Sequence, residues 1–286
     1  MLTTRDKTLL TKTNLVITII YFNMVIRKLE YFALEKGFEI AYEIIGDSSK
    51  PKMVLIHGLF LNSDCWREQL PAFESQFCIL RYDLRGHGRT TKPKKRFTIR
   101  NYVDDLYALL EYLNWNEDLY LVGHSLGGMI ALVYGLENPT QVKKMVVADS
   151  FCFISQEAIT DVLGRANSSK LENFALGISV RGLNPYNEEF AQYIAKMVTD
   201  HMTKEDCLRA TAASAGFNIC ENLKSLKIPV LVLVGKKDIT TPVWASEMIH
   251  EWLPQSELII IPDAGHLTIF DHKDEFNDLT LSFWKK

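Results

Sequence analysis

The sequence predicts an α/β protein: a mainly parallel sheet with helices on both faces and one helical insertion. Three observations predict it. Short apolar runs of strand length recur at residues 52–56, 77–82, 119–122, 144–148, 230–234 and 258–261. Such runs suit strands buried on both faces. Helical patterns separate most of them, and alternating strands and helices imply a parallel sheet. The alternation breaks once, over residues 151–226, where helix-like stretches follow one another with no convincing strand.

Taken in order, residues 31–35 and 38–42 partly alternate apolar and polar around Lys36-Gly37. That reads as a hairpin, which adds antiparallel strands at one edge. Residues 98–113 carry Tyr102, Leu106, Leu109 and Leu113 at helical spacing. Residues 126–136, 244–252 and 275–284 are also helical in pattern. The stretch 151–226 reads as a cap, and it follows a strand's carboxyl end, where ligand sites of open α/β sheets lie. The chain therefore divides into an N-terminal extension (1–28), a first core part (29–150), the cap (151–226) and a second core part (227–286). There is no internal repeat and no low-complexity segment.

Composition narrows the function classes. The 286 residues are 47 % apolar and 23 % charged, with a net charge of −3, which suits a globular chain needing no disulfide to fold. No basic excess recommends a nucleic-acid partner, and the run Lys92, Lys94, Lys95, Arg96 reads as a solvated loop. The five cysteines, at 65, 78, 152, 207 and 220, are odd in number and show no CxxC spacing. They read as free thiols in a reducing, cytoplasmic compartment. Residues 15–26 are apolar with Thr18, Tyr21 and Asn23 interrupting, and Arg5, Lys7 and Lys12 precede them. Three readings stand open for this segment: an extension upstream of a true start at Met24, an uncleaved anchor, or an extra helix. Membrane association, on this reading, runs through residues 1–28 alone.

Gly123-His124-Ser125-Leu126-Gly127 fits G-x-S-x-G. The pattern alone is weak, because Gly and Ser are common enough to produce it by chance. Its setting is specific: a strand ends just before it and a helical pattern starts just after it, as a nucleophile elbow requires. Close chain approach at such a turn calls for small residues at Gly123, Gly127 and Gly128. A serine hydroxyl needs a base to take its proton. Among seven histidines, His266 in Asp263-Ala264-Gly265-His266 lies just after the last strand. The base needs a carboxylate to hold its tautomer, and Asp238 in Gly235-Lys236-Lys237-Asp238 stands at another strand's end. Asp149 is the rival acid. Developing negative charge needs two donors, for which the backbone N–H groups of Leu126 and of Leu59 in His57-Gly58-Leu59-Phe60 are the candidates, with Phe60 as the alternative to Leu59.

These motifs in this order resemble the α/β-hydrolase fold family, and its cap-bearing, small-molecule esterase branch, from about residue 29 to the end. His57-Gly58-Leu59-Phe60 resembles the oxyanion loop. Residues 82–90, Tyr82-Asp83-Leu84-Arg85-Gly86-His87-Gly88-Arg89-Thr90, resemble the D-x-R-G-x-G-x-S turn, with Thr90 where serine is usual. The resemblance implies a core sheet of about eight strands, a helical cap, a Ser-His-Asp catalytic triad of Ser125, His266 and Asp238, and no cofactor or metal. Serine at 125 argues against the haloalkane dehalogenase and epoxide hydrolase branches, which carry aspartate there.

The expected activity is hydrolysis of a small-molecule carboxylic ester or lactone through an acyl-enzyme. Carbon–carbon bond hydrolysis, cofactor-free perhydrolysis and a non-catalytic small-molecule receptor are the competing readings. Phe60, Trp66, Phe151, Phe153 and Phe217 are candidate pocket residues, each also suited to core packing. Arg165, Arg181 and Arg209 are candidate anchors for a substrate carboxylate or solvated surface residues. The Asp83–Thr90 turn reads as structural.

Overall fold

The computed structural model describes residues 28–286. The readings of the apolar N-terminal segment fall on residues 1–27, outside the described ones. Strands β1 (Glu30–Glu35) and β2 (Phe38–Ile45) form the leading hairpin, and β3 (Lys52–Ile56) follows. Helix α1 (Leu70–Phe73), β4 (Cys78–Tyr82), α2 (Ile99–Tyr112), β5 (Leu119–His124), α3 (Leu126–Glu137) and β6 (Val142–Ala148) complete the first core part. The insertion holds α4 (Gln156–Ser168), α5 (Leu171–Gly182), α6 (Glu188–Thr199) and α7 (Lys204–Ala212). The chain then returns through β7 (Val230–Gly235), α8 (Val243–Trp252), β8 (Ser256–Ile261), α9 (Thr268–Asp271) and α10 (Lys273–Lys285).

The eight strands form one sheet in the order β1-β2-β4-β3-β5-β6-β7-β8. The hairpin pairs antiparallel, β2 pairs antiparallel with β4, and every later pairing is parallel. Successive side chains point to opposite faces of a strand, and the core divides accordingly. Val54, Ile56, Leu121 and Val147 join α2, α3 and α8 on one face. Met53, Leu55, Val122 and Val146 join α1, α6 and α10 on the other. Strands covered on both faces are the physical reason for the near-continuous apolar runs.

The crossover from β6 to β7 carries all four insertion helices, although these strands are neighbours in the sheet. Its two ends are tied by a disulfide between Cys152 and Cys220, 68 residues apart in sequence. A backbone bridge between Phe153 and Asn218 lies next to it. The expectation of five free thiols is thus corrected. The insertion leaves and returns at adjacent points, which brings two distant cysteines together. Cys65, Cys78 and Cys207 remain buried thiols. Among the described residues, no helix is long and apolar enough to cross a membrane.

Candidate active site

Ser125 sits between the last residue of β5 and the first of α3, with φ 53° and ψ −116°. A side-chain-bearing residue with positive φ is strained and persists only where its surroundings fix it. Here the Ser125 N–H donates to Ala148 O at 2.8 Å, and the Ser150 hydroxyl donates to Ser125 O at 2.7 Å. The turn also needs glycine. A Cβ on Gly127 would lie 2.0 Å from Ile56 O, and one on Gly123 would lie 2.4 Å from Gly127 O. Strand β3 and helix α3 touch backbone to backbone at this point, which is why the elbow stands directly beside the 57–60 loop.

That loop is fixed by His57. The Leu84 N–H donates to His57 Nε2 at 2.9 Å, so the imidazole proton is on Nδ1, which donates to Gly58 O at 2.8 Å. Burial pulls the His57 pKa down to about 4, so the ring stays neutral and keeps this tautomer. Asp83 holds the neighbouring turn: it accepts from the Ser63 and Arg89 N–H groups and from the Arg89 guanidinium. Thr90 Oγ1 donates to Asp83 O and accepts from Ala41 N–H. These bonds give the Asp83–Thr90 turn a structural job, as its sequence suggests.

His266 Nδ1 donates to Asp238 Oδ2 at 2.8 Å. Asp238 also accepts from the Thr240 and Thr241 N–H groups at 2.7 and 2.8 Å and from the Thr241 hydroxyl. Burial alone would raise Asp238, but the facing imidazole and the Thr241 bonds outweigh it and hold its pKa below the ordinary 3.8. Burial alone would lower His266, but the Asp238 charge and hydrogen bond carry it above 6.5. With Nδ1 committed to Asp238, Nε2 is left to face the cavity.

Asp149, the rival acid, is fully buried and bonded elsewhere. It accepts from Thr268 Oγ1 at 2.6 Å and from Gly235 N–H at 3.1 Å, and approaches His124 Nε2 at 3.6 Å. Burial first, and then the charge of Asp238, push its pKa well above the ordinary range. His124, the variable residue of G-x-S-x-G, donates from Nε2 to His266 O at 2.8 Å. Burial and the nearby His266 lower it to about 3. Thr241, Thr268 and His124 escaped the sequence reading. Each acts through a partner more than a hundred residues away or through a side-chain bond that no motif encodes.

Ser125 and His266 open onto one cavity of about 250 Å³. Leu59, Phe60, Leu126 and Phe151 line it from the core side, and α4 and α5 cover it. Leu126 opens α3, so its N–H has no helical acceptor. The Leu59 N–H has no acceptor among the described residues. Three expected pocket residues lie elsewhere. Trp66 is fully buried on the other face of the sheet, 6.5 Å from Phe276, because its 3-10 turn packs under α10. Phe153 is drawn outward by its bridge to Asn218 and is 36 % exposed. Phe217 is packed into the core where the insertion returns. Of the three arginines, Arg165 and Arg181 line the cavity, whereas Arg209 pairs with Asp206 at 2.6 Å on α7. Among the described residues no group of three His, Cys, Asp or Glu side chains is placed to hold a metal ion.

An open, mostly parallel sheet with a serine on a strand-to-helix turn is the architecture of the α/β class of hydrolases. Comparison with known proteins agrees. Residues 51–175 match the profile of the alpha/beta hydrolase fold. A protein of Agrobacterium fabrum described as a candidate carbamate hydrolase, RutD, is 29 % identical over 254 residues, covering 85 % of this chain and 97 % of that one. The 3-oxoadipate enol-lactonase 1 of Acinetobacter baylyi is 25 % identical over 255 residues, covering 87 % and 94 %. The crystal structure of a hydrolase from Pseudomonas aeruginosa PA01 superposes with a TM-score of 0.84 at 24 % identity, covering 91 % of this chain and 99 % of that one. The chain has the α/β-hydrolase fold and is a hydrolase.

Proposed function

We propose that the protein hydrolyses small-molecule carboxylic esters or lactones through an acyl-enzyme on Ser125. His266 Nε2 takes the Ser125 proton as Oγ attacks the carbonyl carbon. Asp238 holds the His266 tautomer and stabilises the imidazolium. The Leu59 and Leu126 N–H groups receive the oxyanion, a placement favoured by the N-terminus of α3 behind them. His266 then protonates the leaving alcohol. Water, deprotonated by the same imidazole, attacks the acyl-serine and releases the acid, and the proton returns to Ser125.

The observation that carries this reading is the Asp238–His266 hydrogen bond on the wall of the cavity that Ser125 also lines. The names of the relatives support the bond class: one is called an enol-lactonase and another a methyl ester esterase. The partner is then a small molecule, and the chemistry calls for no cofactor.

The test is hydrolysis of p-nitrophenyl acetate by the full chain and by Ser125→Ala. The expected loss in kcat is about 10⁴-fold or more. Undiminished turnover by Ser125→Ala would remove the assignment.

A further inference from the structure

The cavity is lined mainly by apolar side chains, with two arginines at its cap side. On α4, Ile159, Val162 and Arg165 follow one another at helical spacing along the face that lines it. On α5, Phe174, Ile178 and Arg181 do the same. Each helix thus presents apolar residues followed by an arginine one turn further on. The two guanidinium groups are close enough to repel, and burial followed by the Arg181 charge lowers the Arg165 pKa from its ordinary value.

Neither cation is fully satisfied by the protein. Arg181 makes no hydrogen bond or ion pair with any described residue. Arg165 meets one carboxylate, Asp161, at 3.1 Å, and that side chain is 63 % exposed. The Nε of Arg165 is buried without a hydrogen-bond partner. Arg181 is exposed and Arg165 half-buried, so the two like charges stand side by side at the open edge of the cavity, with the buried Arg165 Nε donor unmet. A planar anion completes this arrangement, because a carboxylate accepts bidentately from guanidinium groups. Arg181 also stands beside the reacting groups: Gly182, next in the chain, accepts from the Leu267 N–H at 3.0 Å, immediately after His266.

We infer that Arg165 and Arg181 form a carboxylate subsite, so that the preferred substrate is an ester or lactone bearing a free carboxylate. This rests on the proposed ester or lactone hydrolysis and narrows it to anionic substrates. The apolar walls between the arginines and Ser125 hold the carbon chain. The bidentate cation pair orients the molecule with its carbonyl toward the Leu59 and Leu126 amides. A neutral ester of the same length binds without that anchor and leaves the arginines unpaired.

The test compares matched esters with the wild-type chain. Monophenyl adipate is set against phenyl hexanoate for a carboxylate on the acyl side. The acetate ester of 4-hydroxyphenylacetic acid is set against 4-ethylphenyl acetate for one on the leaving-group side. At least one anionic member is expected to exceed its neutral partner by about tenfold or more in kcat/KM, mainly through KM. The ratio is expected to collapse toward unity in Arg165→Gln and Arg181→Gln, and to persist in Arg209→Gln, whose side chain lies off the cavity. A second measurement needs no variant: adipate should inhibit phenyl acetate hydrolysis competitively, and adipamide at the same concentration should not. Equal turnover within both ester pairs, with phenyl acetate hydrolysis intact and no inhibition by adipate, overturns the subsite and leaves the hydrolase reading standing. Failure to turn over any ester overturns both.

Discussion

The loops at the carboxyl ends of β3, β5, β7 and β8 hold His57, the Ser125 backbone, Asp238 and His266 Nδ1 with hydrogen bonds. Helices α4 and α5 face the same cavity with side chains that bond to almost nothing. Asp238 has four donors around it and His57 is bonded at both nitrogens. Of the α4 and α5 residues on the cavity, Arg165 alone has a side-chain ion pair among the described residues, and that pair is half in solvent. The sheet end therefore fixes geometry to the precision that bond-making needs. The helical cover fixes shape and charge more loosely, as suits a surface that selects what enters.

The sharpest way to break this contrast is to disturb the bonded side. Asp238→Asn keeps the shape of the carboxylate and removes its charge. The expected fall in kcat is about 10³–10⁴-fold, read with p-nitrophenyl acetate. The pH profile carries a second signature. In the proposed mechanism neutral His266 is the base, and Asp238 raises its pKa, so wild-type kcat/KM should rise with pH through a midpoint above 6.5. In Asp238→Asn that midpoint should move down. A midpoint that stays put would detach Asp238 from His266. The same pair sets a stability window. The raised His266 contributes fully below 6.5 and loses its contribution as pH climbs through its folded value. The lowered Asp238 contributes fully above 3.8 and loses its contribution as pH drops through its folded value. Denaturant midpoints should be highest between those limits as far as this pair governs them.

Next in size is the tie at the base of the cover. Cys152→Ser with Cys220→Ser frees a loop of nearly seventy residues in the unfolded chain and should cost about 2–4 kcal/mol, measured by urea unfolding. A thiol titration of the denatured protein should find three reactive groups before reduction and five after it. Five before reduction would deny the disulfide. The smallest expected effect lies on the loose side itself. A Cβ at Gly177 on α5 meets nothing within 4 Å, so Gly177→Ala should gain about 0.5–1 kcal/mol from helix propensity. Because Gly177 lines the cavity, the same change should reduce kcat/KM for longer acyl chains more than for acetyl. A loss of stability would show that α5 is more tightly packed than its contacts indicate.

The two regions also differ in how far their residues can be read from sequence. Ser125 and Asp238 follow the buried strands β5 and β7, and His266 follows the apolar run of the edge strand β8, and such runs are visible as nearly uninterrupted apolar letters. Position relative to a strand end is local information, so the elbow and the loops at 57–60, 238 and 266 can be found without coordinates. What lines the cavity is not local. Trp66 and Phe151 look alike on paper, yet one packs under α10 and the other faces the cavity. Arg165, Arg181 and Arg209 all read as surface residues on amphipathic helices, and only the packing of α4 and α5 over the sheet separates the first two from the third. Cys152 and Cys220 carry no spacing signal, because their pairing depends on the insertion returning to where it left. Likewise, the choice between Asp149 and Asp238 as partner of His266 turns on side-chain direction, since both close neighbouring strands.

That return has a consequence for how such a molecule changes over time. Because the two stems at Cys152 and Cys220 stand side by side between adjacent strands, the core senses the cover as a single closed loop. Residues can be gained, lost or exchanged between the stems without altering the distance the core must span. The sheet and the Ser125 turn can therefore be inherited unchanged while the cover is rewritten for a different molecule, in nature or by grafting at those two points.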